Sequence, residues 1–337
     1  MKNLVIKFMK NDDIVIALSI FLFILITFFS LVTPNFFTAV NFYSIIGNIP
    51  ALAILCLGLT FVVLVGGLDL SLDSILGLTA VLAVFFFKVM NYPMIIILLL
   101  CLIVGVFLGA LNAIIITKIG INPVITTLGT MVFLRGVIYW IAMDIDAMRV
   151  GRITDEAFLN FGRYYFPEES RLVPITLVYL IFLYVGCAFL LNHTRFGRDI
   201  YAVGSNEMTA RLAGINVPFV KFSCYTIAGM LSAFGGLVLV AQLGLGEAYT
   251  GENMILEVVT AVVLGGIALS GGKGRLTGVI IAILILGVIR NGMVHLEQVS
   301  GISFYWRDVA KGAILILAIG LDSIRRIMNK KQHRIRQ

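Results

Sequence analysis

The chain has 337 residues, 60% of them hydrophobic and only 13% charged, with a mean hydropathy of +1.04. A soluble domain carries about a quarter charged residues, and one core could not hide this much apolar surface, so the composition excludes an ordinary soluble protein and makes lipid the solvent. The net charge of +7 does not indicate nucleic acid: six basic residues (Arg325, Arg326, Lys330, Lys331, Arg334, Arg336) form a C-terminal tail behind an apolar stretch, as in a cytoplasmic anchor facing anionic lipid.

Taken in chain order, the apolar runs recur end to end with no linker between them. Lys2, Lys7 and Lys10 precede the first, Ile14–Val32. The chain continues as Thr33-Pro34-Asn35 without a small-x-small cleavage pattern, so this helix is expected to be retained. A span needs about 20 mainly apolar residues. Further spans are expected at Ile45–Val65, Leu70–Phe87, Pro93–Ile116, Pro123–Ala142, Val173–Leu191, Phe222–Leu243, Leu256–Leu269, Thr277–Val294 and Val309–Leu321. The expected fold is all-α: one polytopic membrane domain of about ten transmembrane helices, with residues 1–13 as a cytoplasmic N-terminus, 14–321 as the bundle and 322–337 as the basic tail.

An even number of spans puts both termini on one side. Sixteen lysines and arginines then share that side: Lys2, Lys7, Lys10, Lys118, Arg195, Arg198, Arg211, Lys221, Lys273, Arg275 and the six of the tail. Five lie opposite: Lys88, Arg149, Arg152, Arg163 and Arg171. By the positive-inside rule both ends are cytoplasmic, and the protein is expected in the bacterial inner membrane.

Two loops are longer than connectors require. The outer one, 143–172, mixes Asp144, Asp146, Asp155, Glu156, Glu168 and Glu169 with arginines; the inner one, 192–221, is basic. In the inner loop Ser205 or Asn206 can cap a short helix, Glu207 suits its first turn and Gly214 its end, which predicts a helix over Glu207–Ala213. Met208, Leu212 and Ile215 form an apolar stripe with Arg211 beside it. Such a helix either docks in a partner's groove or rests on the membrane surface, and the spacing alone leaves both readings open.

Several segments, in order and at matching spacing from about residue 33 to 322, resemble the ribose-type permeases of ABC importers. They are SLVTPNFFT (30–38), GLTFVVLVGGLDLSLDS (58–74), NPVITTLGT (122–130), LRG (134–136), HTRFGR (193–198), YAVGSNEMTARLAGI (201–215), AVVLGGIALSGGKGRLTG (261–278) and NGM (291–293). The resemblance implies a permease that pairs with a second permease, identical or related, with a cytoplasmic ATPase and an extracytoplasmic sugar-binding protein. It also implies that Asn206–Ile215 is the coupling helix in the ATPase cleft, presenting Asn206, Glu207, Met208, Ala210, Arg211, Leu212, Gly214 and Ile215. Departures from the family pattern are Leu72-Asp73 where Val-Gly is usual, Ile267-Ala268 where Thr-Ser is frequent, and Ile255-Leu256-Glu257 where Glu-Leu-Asp is common. NPVITTLGT and the Arg290-Asn291-Gly292 step look most like relatives that handle deoxyhexoses or a furanose-like sugar; with pentoses these make a monosaccharide the expected cargo.

The chain lacks an ATPase motif. The nearest approach to GxxxxGK[ST], at Gly271-Gly272-Lys273-Gly274, has Gly where Ser or Thr is needed and Ile267 where the first Gly belongs. ATP and Mg are therefore expected on the partner ATPase, with no cofactor bound by this chain and no catalytic residues. Cys56, Cys101, Cys187 and Cys224 occur singly and His193, His295 and His333 are dispersed, so no metal site is expected. A gradient-driven transporter would place acids or His at mid-span, whereas here they read as lying near span ends and loops.

The candidate path residues are Asp69, Asn112, Asn122, Thr126, Thr127, Arg135, Glu257 and Asn291. Amide and hydroxyl groups suit sugar hydroxyls, which both donate and accept; the competing reading is hydrogen bonding between helices. Asp69, Ser71 and Ser74 can instead cap the following helix. Arg135 and Glu257 are charges that must face the interior or a path, because a charge at mid-bilayer costs about 2.5–3.5 kcal/mol on insertion scales. Tyr139, Trp140, Tyr305 and Trp306 suit an interfacial belt or a sugar-stacking face.

Overall fold

A computed structural model describes residues 11–144, 152–166 and 173–300, with isolated positions between 305 and 316. In chain order the helices are α1 (Asn11–Val32), α2 (Ala39–Asn48), α3 (Pro50–Leu64), α4 (Leu72–Lys88), α5 (Met94–Ile114, continued by a π-helical turn Ile115–Ile119) and α6 (Pro123–Asp144). There follow α7 (Glu156–Arg163), α8 (Ile175–His193), α9 (Arg195–Ser205), α10 (Glu207–Leu212), α11 (Val217–Leu243), α12 (Met254–Leu264) and α13 (Leu276–Ser300). The one ladder among the described residues is antiparallel, Tyr165 opposite Pro174 and Phe166 opposite Val173.

Six helices, α1, α5, α6, α8, α11 and α13, are long and apolar enough to cross a bilayer, and seven spans result if the bent pair α2–α3 is one of them. Among the described residues the expectation of about ten spans is thus met in part. The second expected span breaks at Ile49, where the chain bends by 45° into α3. The cause is Pro50 at the first turn of α3: it lacks an N–H, and its ring excludes a continuous helix through that point. The third and eighth expected spans are the 17-residue α4 and the 11-residue α12. The tenth, Val309–Leu321, lies almost wholly outside the described residues, as do the N-terminal segment and the basic tail. The outer loop holds a helix that the hydropathy pattern does not signal: Asp155 caps α7 by accepting from Phe158 N (2.8 Å), and Phe158 is fully buried.

The centre of the bundle is α11. Lipid tails are as apolar as leucine, so helices in a membrane associate through close packing. Accordingly Gly58 of α3 lies against Ala228, Gly105 and Gly109 of α5 against Gly229 and Tyr225, and Gly236 against Leu76 and Thr79 of α4. Antiparallel pairing fixes depth. Gly58 opposes Ala228 and Leu55 opposes Gly235, while Leu72 O accepts from Ser232 Oγ near the middle of α11. Thus α3 runs to one end of the bundle, and the chain turns back to start α4 halfway along.

Two helix ends obey one local rule. Thr60-Phe61-Val62-Val63-Leu64-Val65-Gly66 and Thr260-Ala261-Val262-Val263-Leu264-Gly265-Gly266 form an internal repeat. Gly66 N bonds to Val63 O and Gly67 N to Val62 O; Gly266 N bonds to Val263 O and Ile267 N to Val262 O. Gly66 (φ +80°) and Gly266 (φ +86°) are left-handed, as this way of closing a helix requires. Internal repeats with interrupted helices are a recurring build of membrane transporters.

At Gly109 an added side chain would meet the backbone carbonyl of Tyr225. Gly109→Leu is expected to destabilise the α5–α11 crossing by about 1–3 kcal/mol, the usual effect of overpacking. Detergent-purified protein should melt several degrees lower, measured by tryptophan fluorescence; an unchanged melting curve would contradict this packing.

Candidate functional site

Between α3 and α4 the backbone from Val65 to Ser71 is not helical, yet it lies inside the bundle. Backbone at membrane depth is tolerated only where protein or water satisfies it. Leu70 N donates to Thr127 Oγ1 (3.1 Å), and Asp69 Oδ1 accepts from Ser71 N (2.9 Å) and Ser71 Oγ (2.6 Å). Asn112 of α5 uses both ends of its amide: Nδ2 donates to Ser71 Oγ (2.9 Å) and Oδ1 accepts from Thr130 Oγ1 of α6 (2.6 Å). Asp69, Asn112 and Thr127 are fully buried in this network, so here the interhelical reading of the candidate residues holds. The network also corrects the capping expectation: Ser71 is the N-cap of α4 without a side-chain cap bond, and Asp69 closes a local turn on Ser71. Asp69 Oδ2 and Tyr225 Oη are buried and make no hydrogen bond. Asn122 and Thr126 serve the start of α6, where Asn122 Oδ1 accepts from Val124 N (2.9 Å) and Thr126 Oγ1 donates to Asn122 O (3.1 Å).

Asp73, one residue beyond Leu72, therefore sits at the level of mid-α11, which corrects the expectation that Asp69 and Asp73 lie at a span end. Arg135 of α6 faces it, Nη2 to Oδ2 at 3.5 Å, and the side chains are 12% and 3% exposed. Arg135 thus points inward, as its charge demands, and its Nη1 donates to Thr250 O (3.0 Å). Tyr139, one turn further along α6, packs edge-on against Tyr249 (ring centroids 5.8 Å apart) and so is not confined to an interfacial role. Glu257 is half-buried in the first turn of α12.

Toward the other end from the 65–71 segment lies a cavity of about 1420 Å³. Its walls come from α2 and the start of α3, the end of α7, the end of α11, the chain 245–254 and α13. Polar lining groups include Tyr43, Asn48, Gln242, Glu247, Arg290 and Asn291. Gln242 Nε2 donates to Gly47 O (2.8 Å), and Arg163 Nε donates to Gln242 O (2.7 Å), which pins α2 and α7 to the end of α11. Of the eight candidate path residues only Asn291 lines this cavity. Sequence reasoning missed Tyr43, Asn48, Gln242 and Glu247. The break at Pro50 was the available signal, because it places the polar end of α2 beside an opening.

The opposite end carries the basic inner loop together with the turn bearing Lys273 and Arg275. The basic inner loop holds two helices where one was expected. Thr194 caps α9 by accepting from Gly197 N (3.1 Å), and Asn206 caps α10 by accepting from Thr209 N (2.9 Å). Gly214 (φ +80°) ends α10, with Ile215 N bonded to Ala210 O. Met208 and Leu212 are 68% and 83% exposed, Arg211 is exposed beside them, Ala210 is buried, and Glu207 pairs with Lys221. Ile215 packs against the core and leaves the exposed stripe. The hairpin is seated on the end of α3 and on the turn after α12: Gly204 lies against Leu64 O and Gly272 N, and Gly272 N itself donates to Leu64 O (2.8 Å). Tyr201 Oη donates to Gly274 O (3.1 Å); burial pushes its phenol up, so it stays protonated as that donor, although Arg275 opposes the shift.

Residues 41–319 match the family model described as the branched-chain amino acid transport system / permease component. The chain belongs to this permease family. The permease is 35% identical to the ribose import permease protein of Escherichia coli K12 over 312 residues, 92% of each chain. It is 36% identical to the ribose import permease protein of Bacillus subtilis 168 over 303 residues, 89% of this chain and 90% of that one. Identity to the galactose/methyl galactoside import permease protein of Escherichia coli K12 is 30% over 339 residues, 96% of this chain and 97% of that one. No solved structure matches the permease.

Asn112 joins α4, α5 and α6 through one amide. Asn112→Leu removes two interhelical hydrogen bonds, worth about 0.5–1.5 kcal/mol each, while the Ser71 and Thr130 hydroxyls keep their bonds to Asp69 and to Thr126 O. The expected outcome is a lower midpoint of thermal unfolding than for Asn112→Gln, and equal midpoints would argue against the network.

Proposed function

We propose that this permease is the membrane-spanning subunit of an ATP-driven importer that carries a monosaccharide (a pentose, deoxyhexose or furanose-like sugar) into a bacterial cell. The observation that carries the reading is its similarity, over 92% of both chains, to a protein named as a ribose import permease. A separate cytoplasmic ATPase supplies ATP hydrolysis with its own Mg, and an extracytoplasmic binding protein delivers the sugar. A second copy or a related permease completes the membrane unit, surrounded by lipid.

In this reading the end bearing α9 and α10 is cytoplasmic, because Lys118, Arg195, Arg198, Arg211, Lys221, Lys273 and Arg275 belong to it. Both termini lie on that side of the inner membrane, and the shorter segments α3, α4 and α12 with the apolar stretch Val309–Leu321 bring the total to about ten crossing segments. The exposed Met208 and Leu212 with Arg211 beside them suit the cleft of the ATPase, which makes α10 the coupling helix. The outer cavity receives the sugar from the binding protein. Its loose, polar lining suits passage: tight binding would slow release.

Two measurements test the reading. Cells or proteoliposomes carrying the permease with its ATPase and binding protein should take up at least one of labelled ribose, galactose or rhamnose in an ATP-dependent manner; uptake of none of these sugars would sink the substrate class. Tagged permease should co-purify with the ATPase, and recovery should fall at least tenfold for Arg211→Glu and for a Gly-Ser replacement of residues 207–213. Undiminished recovery in both variants would move the docking surface elsewhere.

A further inference from the structure

The ten residues 244–253, between α11 and α12, carry no helix and form a strap that separates the outer cavity from α4 and α6. One face of the strap lies in the groove between those helices. Gly246 rests on Ala80 and Val84, and Gly251 on Leu76 and the Asp73 carbonyl. Arg135 holds the Thr250 carbonyl and Tyr139 holds the Tyr249 ring, two grips one turn apart on α6. The other face, including Glu247, Tyr249, Thr250 and Glu252, lines the cavity.

Three features mark the strap as a moving part rather than filler. Gly244 (φ +72°), Gly251 (φ +73°) and Asn253 (φ +62°) bracket it with left-handed backbone, and Asn253 does so with a side chain, which is uncommon. Its clamp is electrostatic and incomplete: behind Thr250 the Arg135–Asp73 pair stands at 3.5 Å, and neither Asp73 Oδ1 nor Arg135 Nη2 makes a hydrogen bond. Apolar side chains would hold a permanent strap without burying charge, whereas charges inside spans are expensive and mark function. Finally, α6 packs chiefly on α4 and leaves Ile125, Val132, Phe133 and Trp140 exposed, so its half beyond Thr130 is held mainly by α4 and the strap.

We propose that the outer cavity holds one monosaccharide in transit and that the strap 244–253, clamped to α6 by Arg135 and Tyr139, is the gate that shuts this cavity toward the bundle interior. The proposal rests on the permease reading above. The cavity, at about 1420 Å³, exceeds the roughly 300–1,000 Å³ of pockets that enclose a drug-sized ligand. It therefore holds a hydrated sugar loosely, with the Asn48, Gln242 and Asn291 amides and the Glu247 and Arg290 charges as exchangeable partners for its hydroxyls. Movement of α6 away from α4 parts Arg135 from Asp73, withdraws the grip on Thr250 and frees the strap.

The test uses the complete transporter in proteoliposomes, with whichever labelled sugar the uptake assay shows to be imported, so a failure of the permease reading is seen there first. Preloaded sugar should leave at least tenfold faster without ATP for Arg135→Gln and for Asp73→Asn than for wild type. Separately, Tyr139→Cys with Tyr249→Cys, in a background where Cys56, Cys101, Cys187 and Cys224 are Ala, should lose the import its own untreated sample shows once joined by a short bis-maleimide, whereas either single-cysteine variant treated alike should not. A protein that merely needed the ion pair to fold would not show reagent-dependent loss. Charge variants as tight as wild type, or undiminished import through the cross-linked strap, would overturn the gate. If the charge variants do not assemble, the cross-link alone decides.

Discussion

A backbone amide left unpaired in hydrocarbon costs several kcal/mol, and this chain places two stretches of non-helical backbone inside its bundle. Most of the architecture follows from satisfying them. The segment 65–71 is held by Thr127, Asn112, Asp69 and Ser71, which ties the start of α4 to α5 and α6. The strap 244–253 is held by Arg135 and by close glycine packing on α4. A continuous helix at either place would need none of these residues, and the bundle would have neither a cavity nor a buried ion pair.

The two interruptions divide the molecule along its depth. One end carries a wide polar opening formed where Pro50 bends α2 away from α3. The other carries an exposed hairpin resting on the end of α3 and the turn before α13. Between them lie the ion pair and the hydroxyl–amide network, both attached to α6. A helix that is poorly buried itself thus touches both polar layers, which makes it the element through which the two ends can sense each other.

Much of this was legible in the residues, and the failures have physical reasons. Hydropathy finds the long apolar helices and the polarity of the loops, because composition alone decides what lipid accepts. It cannot tell a full span from a short one: α4 and α12 are as apolar as their neighbours, and only contacts with mid-α11 reveal that α4 starts at depth. Asp69 and Asp73 looked terminal because they follow a glycine pair, and in a soluble protein that position would be the surface. Pro50 and the repeat around Gly66 and Gly266 were readable signals hidden within apolar runs. The cavity lining was not readable at all, since Tyr43, Gln242 and Asn291 come from three elements whose spacing in sequence carries no trace of their meeting. The comparisons name the family and leave the path untouched, because identity of about a third is spread over packing positions as well as functional ones.

Gly204 has a consequence of a different kind. Its Cα sits between the Leu64 carbonyl and the Gly272 amide, with no space for a methyl group on either side. Three chain segments from distant parts of the sequence meet there backbone to backbone, without any intervening side chain to bend or slip. Such a joint has almost no compliance: a tilt of the hairpin is shared at once by the end of α3 and the turn that leads into α13. It also has no mutational tolerance, so a single added carbon at one position on the surface hairpin disturbs a helix end and a turn some two hundred residues apart in sequence.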